Sequence, residues 1–129
     1  MEKTMQNKPH RFGELTPYFT VTDADYFITF LSEVFAANIV KDSRYEDGTL
    51  QHARLRIGDS LIMLNQANGT YAAMQMQMHL NVANVDDTLA KAISKGATSI
   101  MKPMLRPHGA KMAGFCDPIG NIWWVAQDD

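Results

Sequence analysis

The chain nearly repeats itself at a single spacing. Tyr18-Phe19-Thr20-Val21, followed by Asp23 and a helical run, returns sixty-one residues later as His79-Leu80-Asn81-Val82, followed by Asn84 and a second helical run. The same step carries Asp25 to Asp86, Ile28 to Leu89, Lys41 to Lys102, Gly48 to Gly109 and Met63-Leu64 to Trp124-Val125. A spacing kept from the first strand to the last means two copies of one supersecondary unit, and it directs attention to the seam between the copies as the place for function.

Each copy reads as β-α-β-β-β. In the first, Leu15 to Val21 is rich in β-formers, with Pro17 at the strand start where a missing amide does no harm. Asp23 is suited to cap a helix and Asp25 to sit in its first turn. Ala24, Phe27, Ile28, Leu31, Val34 and Phe35 then recur at helical spacing as one apolar stripe. Ile39 to Tyr45, Leu50 to Ile57 and Leu61 to Gln66 are strands. The turn Glu46-Asp47-Gly48 joins the first two of these, and Gly58-Asp59 joins the last two.

In the second copy Met76 to Val82 is a strand. Asn84 caps a helix carrying Val85, Leu89, Ala92 and Ile93, and Gly96 ends it in the left-handed conformation. Ser99 to Leu105, Lys111 to Cys116 and Ile122 to Gln127 complete the unit, the last two joined by the turn sequence Asp117-Pro118-Ile119-Gly120-Asn121. The expected organisation is a polar lead-in over 1–14, a first module over 15–67, a linker over 68–75 and a second module over 76–127, all in one α+β domain. Two such modules are expected to form a curved mixed sheet around a cleft, with the helices on its outer side.

Bulk properties exclude several classes. At 129 residues the chain suffices for one core. A composition 46% apolar and 20% charged is that of a folded domain. The net charge of −2, with both signs interspersed, leaves no footprint for nucleic acid. No apolar run approaches the roughly 20 residues of a membrane helix, and the first fourteen residues lack the apolar stretch of a secretory signal. A single cysteine, Cys116, allows no internal disulfide, so a cytoplasmic location is expected. Nine methionines are more than usual and read as core filler or as a pliable pocket lining.

Asp117-Pro118-Ile119-Gly120-Asn121-Ile122-Trp123-Trp124 resembles the "DPxGN" approach to the last strand in the vicinal oxygen chelate superfamily, the glyoxalase, bleomycin-resistance and dioxygenase group. Arg56-Ile57-Gly58-Asp59-Ser60-Leu61-Ile62-Met63-Leu64 resembles the matching end of the first module. The likeness spans Leu15 to Gln127 and is strongest to the PhnB-like, glyoxalase-related branch. It implies paired β-α-β-β-β modules and a homodimer. It also implies that metal ligands, in members that use one, stand at Tyr18, Met63, His79 and Trp124. A divalent ion seeks several imidazole and carboxylate donors together, and of these four only His79 is a good one. A metal-free protein is therefore expected, without the Lewis acid of the group's metal-dependent reactions.

Strand alternation assigns the faces. With Tyr18, Met63, His79 and Trp124 inward, Thr20, Leu61, Asn65, Gln77, Asn81 and Ile122 join them. Phe19, Val21, Ile62, Leu64, Leu80, Val82, Trp123 and Val125 turn to the helices, a set that is apolar throughout. On the third strand His52, Arg54 and Arg56 point inward, and the sixty-one-residue step then puts Ala113, Phe115 and Asp117 inward too. The expected ligand-binding residues are thus Tyr18, His52, Arg54, Met63, His79, Phe115 and Trp124, a lining for a small aromatic or anionic organic molecule. Cys116 is expected to be buried and inert. Asp117 is expected to cap its turn, and His10 and His108 to be lead-in and loop residues.

No Gly-x-Ser-x-Gly elbow, Cys–His spacing or phosphate-binding glycine loop is present. Three readings remain open: a metal-free small-molecule binder; an enzyme, either a metal-dependent lyase, isomerase or dioxygenase using His79 or a metal-free one with His79 or His52 as base; and an interaction module with a vestigial cleft.

Overall fold

The computed structural model describes residues 14–107 and 109–127; the lead-in before Glu14, His10 within it, and His108 lie outside the described residues. The element order is β1 (Tyr18–Val21), α1 (Ala24–Phe35), β2 (Asn38–Arg44), β3 (Leu50–Ile57), β4 (Ser60–Gln66), β5 (Gln77–Asn81), α2 (Val85–Ser94), β6 (Thr98–Leu105), β7 (Lys111–Cys116) and β8 (Ile122–Gln127). This is β-α-β-β-β twice, in an α+β fold with two four-stranded sheets ordered β1-β4-β3-β2 and β5-β8-β7-β6. In each sheet one pair is parallel, β1 with β4 and β5 with β8, and the other pairs are antiparallel.

By contacts the chain forms two compact units. One holds the described residues up to Ile28 together with Ala36–Met74, and the other holds Thr29–Phe35 together with the described residues from Gln75 on. The core of the first unit is the helix-facing side of its sheet. Phe19, Val21, Ala53, Leu55, Ile57, Ile62 and Leu64 are all buried there, and the ring of Phe19 meets Phe27 of α1 with centroids 5.2 Å apart. In the second unit Ala113, Phe115, Trp123 and Val125 are buried. Phe35 lies 4.8 Å from Trp123 and 6.1 Å from Phe115, ring centre to ring centre. α2 packs on β6, β7 and β8.

The helix starts repeat as the strands do. The Asp23 carboxylate accepts from the Tyr26 amide at 3.1 Å, and the Asn84 side chain accepts from the Asp87 amide at 2.9 Å. Each cap satisfies an amide that the first helical turn leaves without an intrahelical acceptor. A second device does the same one residue on: the Gln66 side-chain oxygen accepts from the Ala24 amide at 2.9 Å, and that of Gln127 accepts from the Val85 amide. The end of the last strand in each unit thereby pins the start of that unit's helix. Gly96, at φ 106°, closes α2 as expected.

The sixty-one-residue step fails on one strand. Arg54 pairs with Met63, whereas it is Gly114, sixty residues after Arg54, that pairs with Trp124. Two local differences account for this. β3 carries an extra residue between its pairings with Ser43 and Arg44, the bulge at Gln51, where β7 pairs with Met104 and Leu105 without one. The β7–β8 turn is longer by one residue, since the Asp117 amide bonds the Asn121 carbonyl at 2.8 Å across three intervening residues while Ile57 pairs with Ser60 across two. A bulge turns every later side chain to the other face.

Candidate functional site

On the first sheet, β1, β4 and β3 bring Tyr18, Met63 and Arg54 into one row on the face away from α1: Tyr18 is opposite Met63 and Met63 is opposite Arg54. The register continues to Lys41 on β2, opposite Arg54, and places Leu61 opposite Arg56 and Thr20 opposite Asn65. His52, two residues from Arg54 on β3, shares this face. Its Nδ1 stands 3.1 Å from the Tyr18 hydroxyl, and the rings are 5.7 Å apart and tilted at 42°.

Burial, followed by the charges of Arg54 and Lys41, pushes the His52 pKa below its ordinary 6.5. His52 is therefore neutral near pH 7, and Nδ1 is free to accept the phenolic proton of Tyr18. Tyr18 keeps 45% of its surface, so the pair is reachable. The Arg54 Nε is buried with no hydrogen-bond partner. Thr20 and Asn65 are joined by a 2.7 Å hydrogen bond from the threonine hydroxyl. Four of the expected residues, Tyr18, His52, Arg54 and Met63, are thus adjacent on one surface.

On the second sheet His79 is opposite Trp124 and Gln77 is opposite Ile122. The Trp124 indole N–H donates to the Gln77 side-chain oxygen at 2.6 Å. Its six-membered ring lies over Gly114: a Cβ added there would come 2.4 Å from Cζ3 and 2.6 Å from Cε3 of Trp124. Trp124 is therefore a ring laid flat on the sheet and tethered at one edge. Neither Gln77 nor Gly114 was assigned these roles from sequence, although a glycine inside a strand commonly marks such a close approach.

Phe115 does not belong to this surface. It pairs with Trp123, is 0% exposed, and packs against Phe30 and Phe35. The bulge at Gln51, absent from β7, shifts the step to sixty and turns Phe115 to the helix side. The same shift brings Cys116 opposite Ile122, half-buried on the face away from the helices rather than sealed in the core. Burial, with a smaller effect of Asp117, raises its thiol pKa, so it stays a protonated, weakly nucleophilic thiol.

Asp117 is 3% exposed. One oxygen accepts from the amides of Ile119, Gly120 and Asn121 at 2.9, 2.9 and 3.0 Å, and the other from the Trp123 indole at 2.8 Å. The conspicuous turn motif is thus a structural knot.

Tyr18, Met63, His79 and Trp124, the positions that the resemblance gives to metal ligands, do not form a donor set suited to a divalent ion. Trp124 has no lone pair to offer and spends its N–H on Gln77, Met63 is a soft thioether, and the Tyr18 phenol is bonded to His52. Among the described residues no three His, Cys, Asp or Glu side chains gather as a metal site.

Comparison with known proteins agrees with the architecture. The family model of the Glyoxalase/Bleomycin resistance protein/Dioxygenase superfamily matches residues 11–125. An uncharacterized protein of Mycobacterium bovis is 30% identical over 124 residues, covering 88% of this chain and 82% of that one. Among solved structures, TioX from Micromonospora sp. ML1 superposes with a TM-score of 0.75 at 19% identity, covering 92% of this chain and 100% of TioX. A PhnB protein from Bacillus cereus does so with a TM-score of 0.70 at 19% identity, covering 89% and 99%.

Proposed function

Since the chain belongs to the glyoxalase/bleomycin resistance protein/dioxygenase superfamily, we propose that it is a metal-free binder of a small aromatic or anionic organic molecule, seated on the helix-free face of the first sheet. The observation that carries this reading is the meeting of a hydrogen-bonded Tyr18–His52 pair with Met63 and a buried, unpartnered Arg54 Nε on adjacent strands. An aromatic ring and a thioether supply apolar contact at little conformational cost. The imidazole and guanidinium supply directional polar contacts of the kind that orient a ligand. The DPxGN-type motif further favours the PhnB-like branch.

A thermal-shift screen of aromatic and anionic small molecules, followed by calorimetric titration of hits, tests the proposal. Tyr18→Ala and Met63→Ala are expected to weaken any hit by about tenfold each, the effect of removing roughly 1.4 kcal/mol of contact. Binding that is indifferent to both substitutions would refute the placement.

A second reading has one specific support. A neutral His52 bonded to a phenol has the makings of a general base acting on a bound substrate, and a metal-free enzyme would use it so. In that case His52→Gln abolishes turnover and leaves folding and ligand affinity nearly unchanged, whereas a pure binder loses affinity.

A further inference from the structure

The first sheet segregates charge. Lys41, Arg54 and Arg56 all stand on the face away from α1, with His52 among them. No carboxylate occupies a register position on that face among the described residues of β1 to β4. Three cations elsewhere in the chain are paired with carboxylates: Arg44 with Asp25 and Asp42, Lys95 with Glu33, and Lys111 with Asp86. Asp42, on the same strand as Lys41, is spent on Arg44 toward the helix side. A molecule of net charge −2 thus sets Lys41 directly across from Arg54 on a sheet face whose described β1 to β4 positions hold no carboxylate.

Cross-strand neighbours stand about 4.5–5.5 Å apart at Cβ, and like charges so placed repel. Lys41 is the direct cross-strand neighbour of Arg54. Both are near enough to depress the His52 proton affinity. The Arg54 Nε, desolvated and without an acceptor, carries an unmade charge-assisted hydrogen bond, which is costly to leave so. One kind of group meets all these conditions: an oxyanion lying over β3 and β2. It would accept from Arg54 through one oxygen and place its second oxygen near Lys41.

Resting on the binding reading above, we propose that the ligand is anchored by an oxyanion, a carboxylate or a phosphoryl-type group, at Arg54 with Lys41, while its apolar body lies toward Met63 and Tyr18. The arrangement follows the row itself, cationic at the β2–β3 end and aromatic at the β1 end. Guanidinium geometry suits two oxygens of either group.

Titration with benzoate, phenylphosphonate, inorganic phosphate and the neutral isostere benzamide tests this. Benzoate or phenylphosphonate is expected to bind at least about tenfold more tightly than benzamide, with affinity falling as salt is raised. The stronger of the two identifies the head group, and inorganic phosphate binding marks the phosphoryl arm. Arg54→Gln is expected to cost at least about tenfold in affinity, consistent with loss of a charged hydrogen bond, and Arg54→Lys less. Lys41→Gln, at an exposed position, serves where Arg54→Gln folds poorly and is expected to cost a few-fold. Binding of benzoate and of phenylphosphonate no tighter than that of benzamide overturns the oxyanion anchor but leaves the wider binding proposal standing. Failure of all four probes also overturns the anchor. Only failure of the broader screen, neutral aromatics included, removes both.

Discussion

At the scale of single residues, His52 and Gly114 show how much a neighbour decides. His52 is held neutral by burial and by the cations Arg54 and Lys41, with Tyr18 as its hydrogen-bond partner. The sign of the pH effect follows. Its folded pKa lies below the unfolded value of about 6.5, so between the two values the unfolded chain binds more protons and stability falls as pH falls. Above about pH 6.5 both states are neutral and His52 contributes no slope. Urea unfolding from pH 7.5 to pH 5 is expected to show this acid loss, and His52→Asn to flatten it relative to the native chain. A bound oxyanion beside His52 opposes the neighbouring cations and is expected to raise its pKa. At Gly114 even one methyl group meets the Trp124 ring at 2.4 Å and Ile100 Cγ1 at 3.2 Å. Gly114→Ala is expected to destabilise by about 1–3 kcal/mol, the usual cost of overpacking. Most of that loss should return in the double variant with Trp124→Ala. A shifted urea midpoint for the first and its recovery in the second would show it.

At the scale of elements, two connections hold what the strands and helices alone leave loose. The β7–β8 turn is organised by one carboxylate that accepts from three amides and an indole. In Asp117→Asn the new amide group either faces the Trp123 N–H or faces the turn amides, donor against donor. A loss of about 2–3 kcal/mol is expected, measured by chemical denaturation. The glutamine latches make a paired prediction. Gln66→Ala and Gln127→Ala each leave a first-turn helix amide without its acceptor, and each is expected to cost about 1–2 kcal/mol. The duplication predicts two similar values rather than one large and one negligible, and unequal losses would mean that the two halves no longer use the latch alike. The strands and caps were legible because propensity and alternation are local. The latches were not, because a glutamine at a strand end looks like any polar terminus until the helix start is brought beside it.

At the scale of the whole molecule, the contact units cut across the repeat. The last seven residues of α1, Thr29–Phe35, group with the second unit, where Phe30 and Phe35 pack on Phe115 and Trp123. A fragment starting at Gln75 retains a complete β-α-β-β-β order but leaves those two aromatic side chains without Phe30 and Phe35. It is expected to melt without a cooperative transition by circular dichroism, whereas a self-sufficient module would melt sharply. In the full chain Phe35→Ala is expected to cost about 2–4 kcal/mol, within the range for truncating packed aromatic residues.

The duplication, the element order, both helix caps and the shared face of Tyr18 with Met63 and of His79 with Trp124 were determined by the sequence alone. Each depends on short-range alternation or on a spacing that one register preserves. The faces of Phe115 and Cys116, the tether on Trp124, the buried role of Asp117 and the unpartnered Arg54 Nε were decided only by tertiary structure. A single bulged residue reverses the side on which every later side chain emerges, and the sequence carries no local mark of where that extra residue is absorbed until the partner strand is laid beside it.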